Sequence, residues 1–163
     1  MGKNNIRVKH KRTEIWEELV KEHKVFDQYV ELFVFMASLG HYHNNPKTNY
    51  KPDDDDEEGE MLWMHVSNRD LFKAVSAAIA YQHTGDADAL INPELQLQVM
   101  AQYAVGGAEI LEDELSTVKG DPTDAVLNYI QSHNDADRSE EEDNELQRIL
   151  DSFDEDMMDI ETE

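Results

Sequence analysis

The sequence predicts a mainly α-helical fold: a compact helical domain over residues 1–133 with a small two-stranded β element, then an acidic tail over 134–163. Three observations predict it. Apolar residues recur at i, i+3, i+4 and i+7 through several long stretches, the period of an α-helix. Only two short stretches, 5–12 and 61–66, read as strands. Residues 139–163 carry twelve acidic side chains and one basic one, with a single thin apolar stripe beneath them.

Taken in order, NIRVKHKR (5–12) alternates as a strand does: Ile6, Val8 and His10 on one face, Arg7, Lys9 and Lys11 on the other. Thr13 is placed to cap a helix over 14–24, whose buried stripe is Ile15, Trp16, Leu19 and Val20. Glu14, Glu17 and Glu18 suit the positive end of its dipole. Asp27 is expected to cap the next helix, over 28–39, and Gly40 to end it in the left-handed conformation. This segment has two apolar stripes. One is Val30, Phe33, Val34 and Ala37; the other is Leu32, Phe35, Met36 and Leu39. Burying one more Phe, Met or Leu stabilises by about 1.5–3 kcal/mol, so the second stripe needs a cover. Either later helices or a second subunit supplies it. The later helices are favoured because they offer enough apolar surface.

Residues 41–60 read as loop, with two prolines and the acid run Asp53–Asp56 followed by Glu57, Glu58 and Glu60. The stretch 61–66, MLWMHV, reads as a strand that pairs with the first. Asn68 is expected to cap a helix over 69–83 with Leu71, Phe72, Val75, Ala78 and Ile79 inward and Gly85 at its end. Asn92-Pro93 is a strong helix start. Leu97, Met100, Ala101 and Ala104 form the stripe that follows; Ile110, Leu111, Leu115 and Val118 resume it after Gly106-Gly107. The two glycines imply either a kink or very close packing. Asp121-Pro122 starts a helix to about His133 with Val126, Tyr129 and Ile130 inward. Ser139-x-x-Glu142 is a capping box ahead of Leu146, Ile149, Leu150 and Phe153. The expected structural core includes Phe33, Met36, Leu39, Gly40, Tyr103, Gly106 and Gly107.

Acidic residues outnumber basic ones 37 to 14. That balance repels polyanions at long range and resembles proteins of salt-loving archaea. The chain has no cysteine, which excludes disulfides, thiolate zinc sites and thiol nucleophiles. The start, MGKNNIRVKHKR, lacks the apolar core of a secretory signal, and no window suits a membrane span. The expectation is a cytoplasmic protein without a cofactor.

Candidate chemistry is sparse. His41-x-His43, with His65 or Asp53–Asp56 as further ligands, lacks diagnostic zinc spacing and reads as a polar loop. Gly59 falls out of register for a calcium loop, so the acid run reads as a solvated charge cluster. Gly106-Gly107 follows a helix instead of a strand and is no phosphate cradle. No hydrolase elbow, metalloprotease, P-loop or dinucleotide motif occurs, so a catalytic constellation is not expected.

The basic strand is the strongest candidate. Strand, short helix, second helix is the order of a ribbon-helix-helix unit, in which two chains pair strands and outward side chains enter the major groove. Arg7, Lys9 and Lys11, with Arg12 beside them, would contact DNA. The opposing reading is that this segment neutralises acidic residues of its own chain.

Three stretches together, IRVKHKRTEIWEELV, FDQYVELFVFMASLGHYHNNP and YAVGGAEILEDEL, resemble the DNA phosphorothioation-associated protein 4 family. Its members are small proteins encoded beside the Dnd DNA sulfur-modification and restriction genes. The likeness spans roughly residues 6–115 and rests on apolar, structural positions. The opening part is less closely similar to the small DndE-type component. The resemblance implies a setting in antiviral defence guided by sulfur marks on DNA, and supplies no active site. The expected function is a non-enzymatic accessory protein of such a restriction system, acting through contact with a larger protein component, with the acidic tail as a docking or regulatory segment. The alternatives are a DNA-binding module using the basic strand and an acidic DNA-mimic inhibitor. A homodimer is left open.

Overall fold

A computed structural model of the chain describes residues 6–47, 57–116, 122–132 and 148–149, with the backbone alone at 57–58. The chain divides into two compact units, Met1–Thr123 and Asp124–Glu163. Mainly helical structure with one small antiparallel sheet is what the sequence predicts.

The first unit opens with strand β1, Arg7–Arg12. Helix α1, Glu14–Glu17, runs directly into a π-helical turn over Glu18–Glu22. Thr13 precedes α1, but its hydroxyl does not cap it; it donates instead to the Glu112 carboxylate. Ile15, Trp16 and Leu19 are buried. Helix α2 is Tyr29–Tyr42, preceded by Gln28 instead of Asp27. The Asp27 N–H donates to the Glu31 carboxylate at 3.1 Å, so Glu31 satisfies an amide at this helix entry.

Gly40 does not end α2. It lies inside the helix, buried, and its role is steric. A Cβ on Gly40 would sit 2.0 Å from the Tyr103 carbonyl oxygen and 2.9 Å from the Gly107 nitrogen. A Cβ on Gly107 would sit 1.8 Å from the Met36 oxygen. The two helices therefore touch backbone to backbone, which no larger residue permits. Helix α5, Pro93–Leu115, passes through Gly106 and Gly107 as one helix, so close packing is what the glycine pair serves. The loop after α2 is stitched to α5 as well. Asn45 donates through Nδ2 to the Gly106 oxygen at 3.0 Å, and the Lys47 N–H donates to the Gln102 oxygen at 3.1 Å.

Both stripes of α2 are covered within the chain except at Phe35, which is half-buried. Val30, Leu32, Phe33, Val34, Met36, Ala37, Leu39 and Gly40 are all buried. Phe33, Leu32 and Met36 share the interior with Trp16, Leu19, Leu97, Met100 and Leu111.

The second strand lies earlier than 61–66. Strand β2 is Glu57–Leu62, antiparallel to β1, and Trp63–Ser67 form helix α3. The register explains the shift. Lys9 faces Glu60, Lys11 faces Glu58 and Arg12 faces Glu57. At Lys9 and Glu60 opposite charges stand directly across the ladder, which offsets the poor strand propensity of glutamate. His10 faces Gly59, where a Cβ would lie 2.8 Å from the imidazole Cε1.

Helix α4, Asp70–Thr84, follows Arg69 instead of Asn68, and Gly85 closes it at φ 69°. Its inward residues are Ser76, Ile79 and Ala80; Leu71 and Ala78 face outward, against expectation. A 3-10 turn, Ala87–Leu90, leads to Asn92, whose side-chain oxygen caps α5 by accepting the Leu95 N–H at 3.2 Å.

A helix over 122–132, α6, is described, with Val126 buried and Ile130 exposed. Ile149 is exposed. The acid run Asp53–Asp56, Val118, the 139–142 capping box, Leu146, Leu150 and Phe153 lie outside the described residues.

Candidate interaction surfaces

The ribbon holds the basic residues in different environments. Arg7 and Lys9 are exposed, whereas Lys11 and Arg12 are partly buried. Arg7 pairs with Glu60 at 3.1 Å. The Arg12 guanidinium lies 3.7 Å over the centre of the Tyr29 ring, a cation–π contact that turns it inward. β1 takes its hydrogen-bonded partner from its own chain, so the acid of β2 sits against the basic strand.

Behind the ribbon, His10 is buried between two rings, its centroid 4.8 Å from Trp16 and 5.4 Å from Phe33. Its Nδ1–H donates to the Lys11 carbonyl at 3.0 Å. Burial holds its pKa below the ordinary histidine value, and the Arg12 charge adds a smaller effect in the same direction. The ring is thus a neutral core group. A cavity of about 190 Å³ lies between β1 and α5, lined by Val8, Lys9, His10, Lys47 and Gln102 among others. Lys47 is held to Glu109 at 2.9 Å.

The histidines of the loop candidate do not converge. His41 packs edge-on against Tyr103, His43 against Tyr42, and His65 is exposed on α3. Tyr103 is buried and shares a 2.8 Å hydrogen bond with His83 Nδ1. Burial raises its pKa, so the phenol stays protonated. Among the described residues, no three His, Asp or Glu side chains come together as a metal site would require.

A third surface escapes sequence periodicity. α3, α4, the 3-10 turn and the start of α5 enclose an open groove of about 720 Å³. Leu90 is 48% exposed and Ile91 79% exposed at its edge, and Trp63 is buried in its lining. The turn that presents them is firmly tied. Gln96, itself buried, donates through Nε2 to the Ala89 oxygen at 2.7 Å and accepts from the Ser76 hydroxyl at 3.3 Å. Asp86 accepts the Asp88 N–H at 3.0 Å. The available signal was an apolar pair, Leu90-Ile91, stranded between an Asp-rich turn and Asn92-Pro93.

These features define a helical scaffold built around one largely sheathed helix, with a charge-paired ribbon on one side and, among its helix ends, a groove of mixed polarity with exposed apolar side chains at its edge. The particular family follows from comparison with known proteins. The chain matches the family described as DNA sulphur modification system-associated protein 4 over residues 5–149, and it belongs to that family. Searches of curated proteins and of solved structures found no match. Among the described residues, no helix is long and apolar enough to cross a membrane.

Proposed function

We propose that this protein is a non-enzymatic accessory component of a DNA phosphorothioation-linked restriction system and acts by contact with a larger protein of that system. The family places it with a DNA sulphur modification system as an associated protein. The observation that carries the mechanism is the groove edge at Leu90 and Ile91. A chain with 37 acidic residues keeps these two apolar side chains exposed on a turn fixed by buried hydrogen bonds. Preorganised apolar side chains at a surface are what protein recognition uses. Co-expression of the tagged full chain with each protein of its gene neighbourhood tests the reading. A stoichiometric complex that survives gel filtration is expected. Elution of the chain alone in every pairing would remove it.

A DNA-binding reading draws on the exposure of Arg7 and Lys9. Weighing against it are the Arg7–Glu60 pair and the Arg12 side chain turned onto Tyr29. If the strand does contact duplex, replacing Arg7, Lys9 and Lys11 by alanine weakens binding and lowers its salt slope by about one unit per lost phosphate contact.

A further inference from the structure

α4, which forms one wall of the groove, differs in charge from the bulk of this acidic chain. Residues 71–85 contain no acidic side chain and one lysine, Lys73. α2 beyond Glu31 and the middle of α5 are also free of acid, but most of their residues are buried. α4 leaves its outer side in solvent. Leu71, Ala74, Ala78 and Tyr81 follow at i, i+3, i+7 and i+10, which places them in one stripe, and all four are exposed. Leu71 is 70% exposed. Ala74 and Ala77 line the adjoining groove, and their small side chains leave room for another backbone to approach.

Acid returns at the border. Asp70 opens α4, Asp86 precedes the 3-10 turn and Asp88 lies within it, and Glu94 lies in the first turn of α5. All four are exposed, and none forms an ion pair among the described residues. An apolar centre inside a charged border is the anatomy of a protein interface, in which the border excludes water and selects the partner by charge.

We infer that the groove between α4 and the Ala87–Leu90 turn receives an amphipathic helix from another protein, its apolar stripe seated on Leu90, Ile91 and the α4 alanines and its flanking lysines or arginines facing Asp70, Asp88 and Glu94. A helix fits because the groove is lined by one face of the first two turns of α4, Asp70, Lys73, Ala74 and Ala77, where the small alanines let another helix approach. A basic flank fits because Asp70 lines the groove, and the turn and helix start that supply Leu90, Ile91 and Pro93 carry the exposed acids Asp86, Asp88 and Glu94, against the single lining lysine, Lys73. This inference rests on the protein-contact reading above and specifies its chemistry.

The test uses the full chain, labelled for amide NMR, and two designed peptides of about 18 residues, roughly the length of α4 plus one turn. Both carry the same leucine stripe; one is flanked by lysine and the other by glutamate. The lysine-flanked peptide is expected to shift amides of 70–77 and 90–96. Ile91→Asp is expected to weaken that binding by at least about 30-fold, the scale of a central interface residue. Ile91 is largely exposed, so an unchanged melting temperature in this variant separates lost binding from lost folding. Shifts scattered over the whole acidic surface, equal binding by Ile91→Asp, or a preference for the glutamate-flanked peptide overturn the inference. In the co-expression experiment, a complex that persists with Ile91→Asp overturns this inference and leaves the protein-contact reading standing. Absence of any complex with the unaltered chain removes both.

Discussion

Replacing Gly40 or Gly107 by alanine should destabilise the protein, although the same change in an ordinary helix would help it. Alanine in place of glycine within a helix gains about 1 kcal/mol from backbone entropy. Here the new methyl has nowhere to go. At Gly40 it would lie 2.0 Å from the Tyr103 oxygen, and at Gly107 it would lie 1.8 Å from the Met36 oxygen. Ordinary contacts need about 3.5 Å, so α2 and α5 must separate by about 1.5 Å at the crossing. The obstructing atoms belong to helical backbone and cannot rotate aside. Overpacking a rigid site costs up to about 3 kcal/mol. The net expectation is a loss of about 2 kcal/mol per substitution, the strain minus the propensity gain. For a unit near 120 residues that lowers the melting temperature by roughly 8 °C. Urea unfolding followed by helical circular dichroism measures it. The double variant should lose less than the sum, because one separation relieves both contacts. A rise in stability for either single variant would refute the backbone-to-backbone crossing.

Two further predictions concern buried polar groups. His10 is held neutral by burial, with a pKa below the ordinary value of 6.5. Above about 6.5 the unfolded chain carries no extra proton there and stability is full; as pH falls below that value the unfolded chain binds a proton that the folded ring refuses, and stability drops. Urea midpoints at pH 7.5 and 5.5 should therefore differ, and His10→Phe should narrow the difference; an identical difference in the variant contradicts the assignment. Gln96→Leu removes the side-chain donor to the Ala89 oxygen, while Ser76 keeps its 2.9 Å bond to the Lys73 oxygen, at a cost of about 1–3 kcal/mol. Hydrogen exchange should quicken over 87–91 in that variant, and unchanged exchange there would mean the turn is held by something else.

Much of this architecture was legible, for identifiable reasons. Helices with strong periodicity and good punctuation emerged near their true bounds: Asn92-Pro93 begins α5, and Gly85 closes α4. Two apolar stripes on one helix implied a cover, from later helices or a second subunit, and the favoured source, the later helices, supplies it for all but Phe35. The errors came where tertiary contact overrides local preference. Gly40 looks like a helix stop in isolation, but its missing side chain is spent on α5. Glutamates at 57–60 look like loop until the lysines and arginine of β1 stand opposite them. Leu71 and Ala78 follow the helical period yet face outward, since periodicity cannot tell a core stripe from an exposed one. The basic strand was visible as charge; the turning of Arg12 onto Tyr29 was not, because it depends on where α2 lies. Leu90 and Ile91 sit on no repeating pattern, and only the hydrogen bonds of Gln96 reveal that their turn is fixed.

α2 is sheathed by its own chain on both stripes apart from the half-buried Phe35, which leaves the outer surfaces as the working parts. Amide hydrogen exchange of the full chain, measured across a hundredfold dilution, tests that directly. Residues 32–40 and 97–107 should exchange slowest of all, at rates independent of protein concentration. Rapid exchange in α2, or protection that fades on dilution, would mean that a second subunit supplies the cover and would contradict the account.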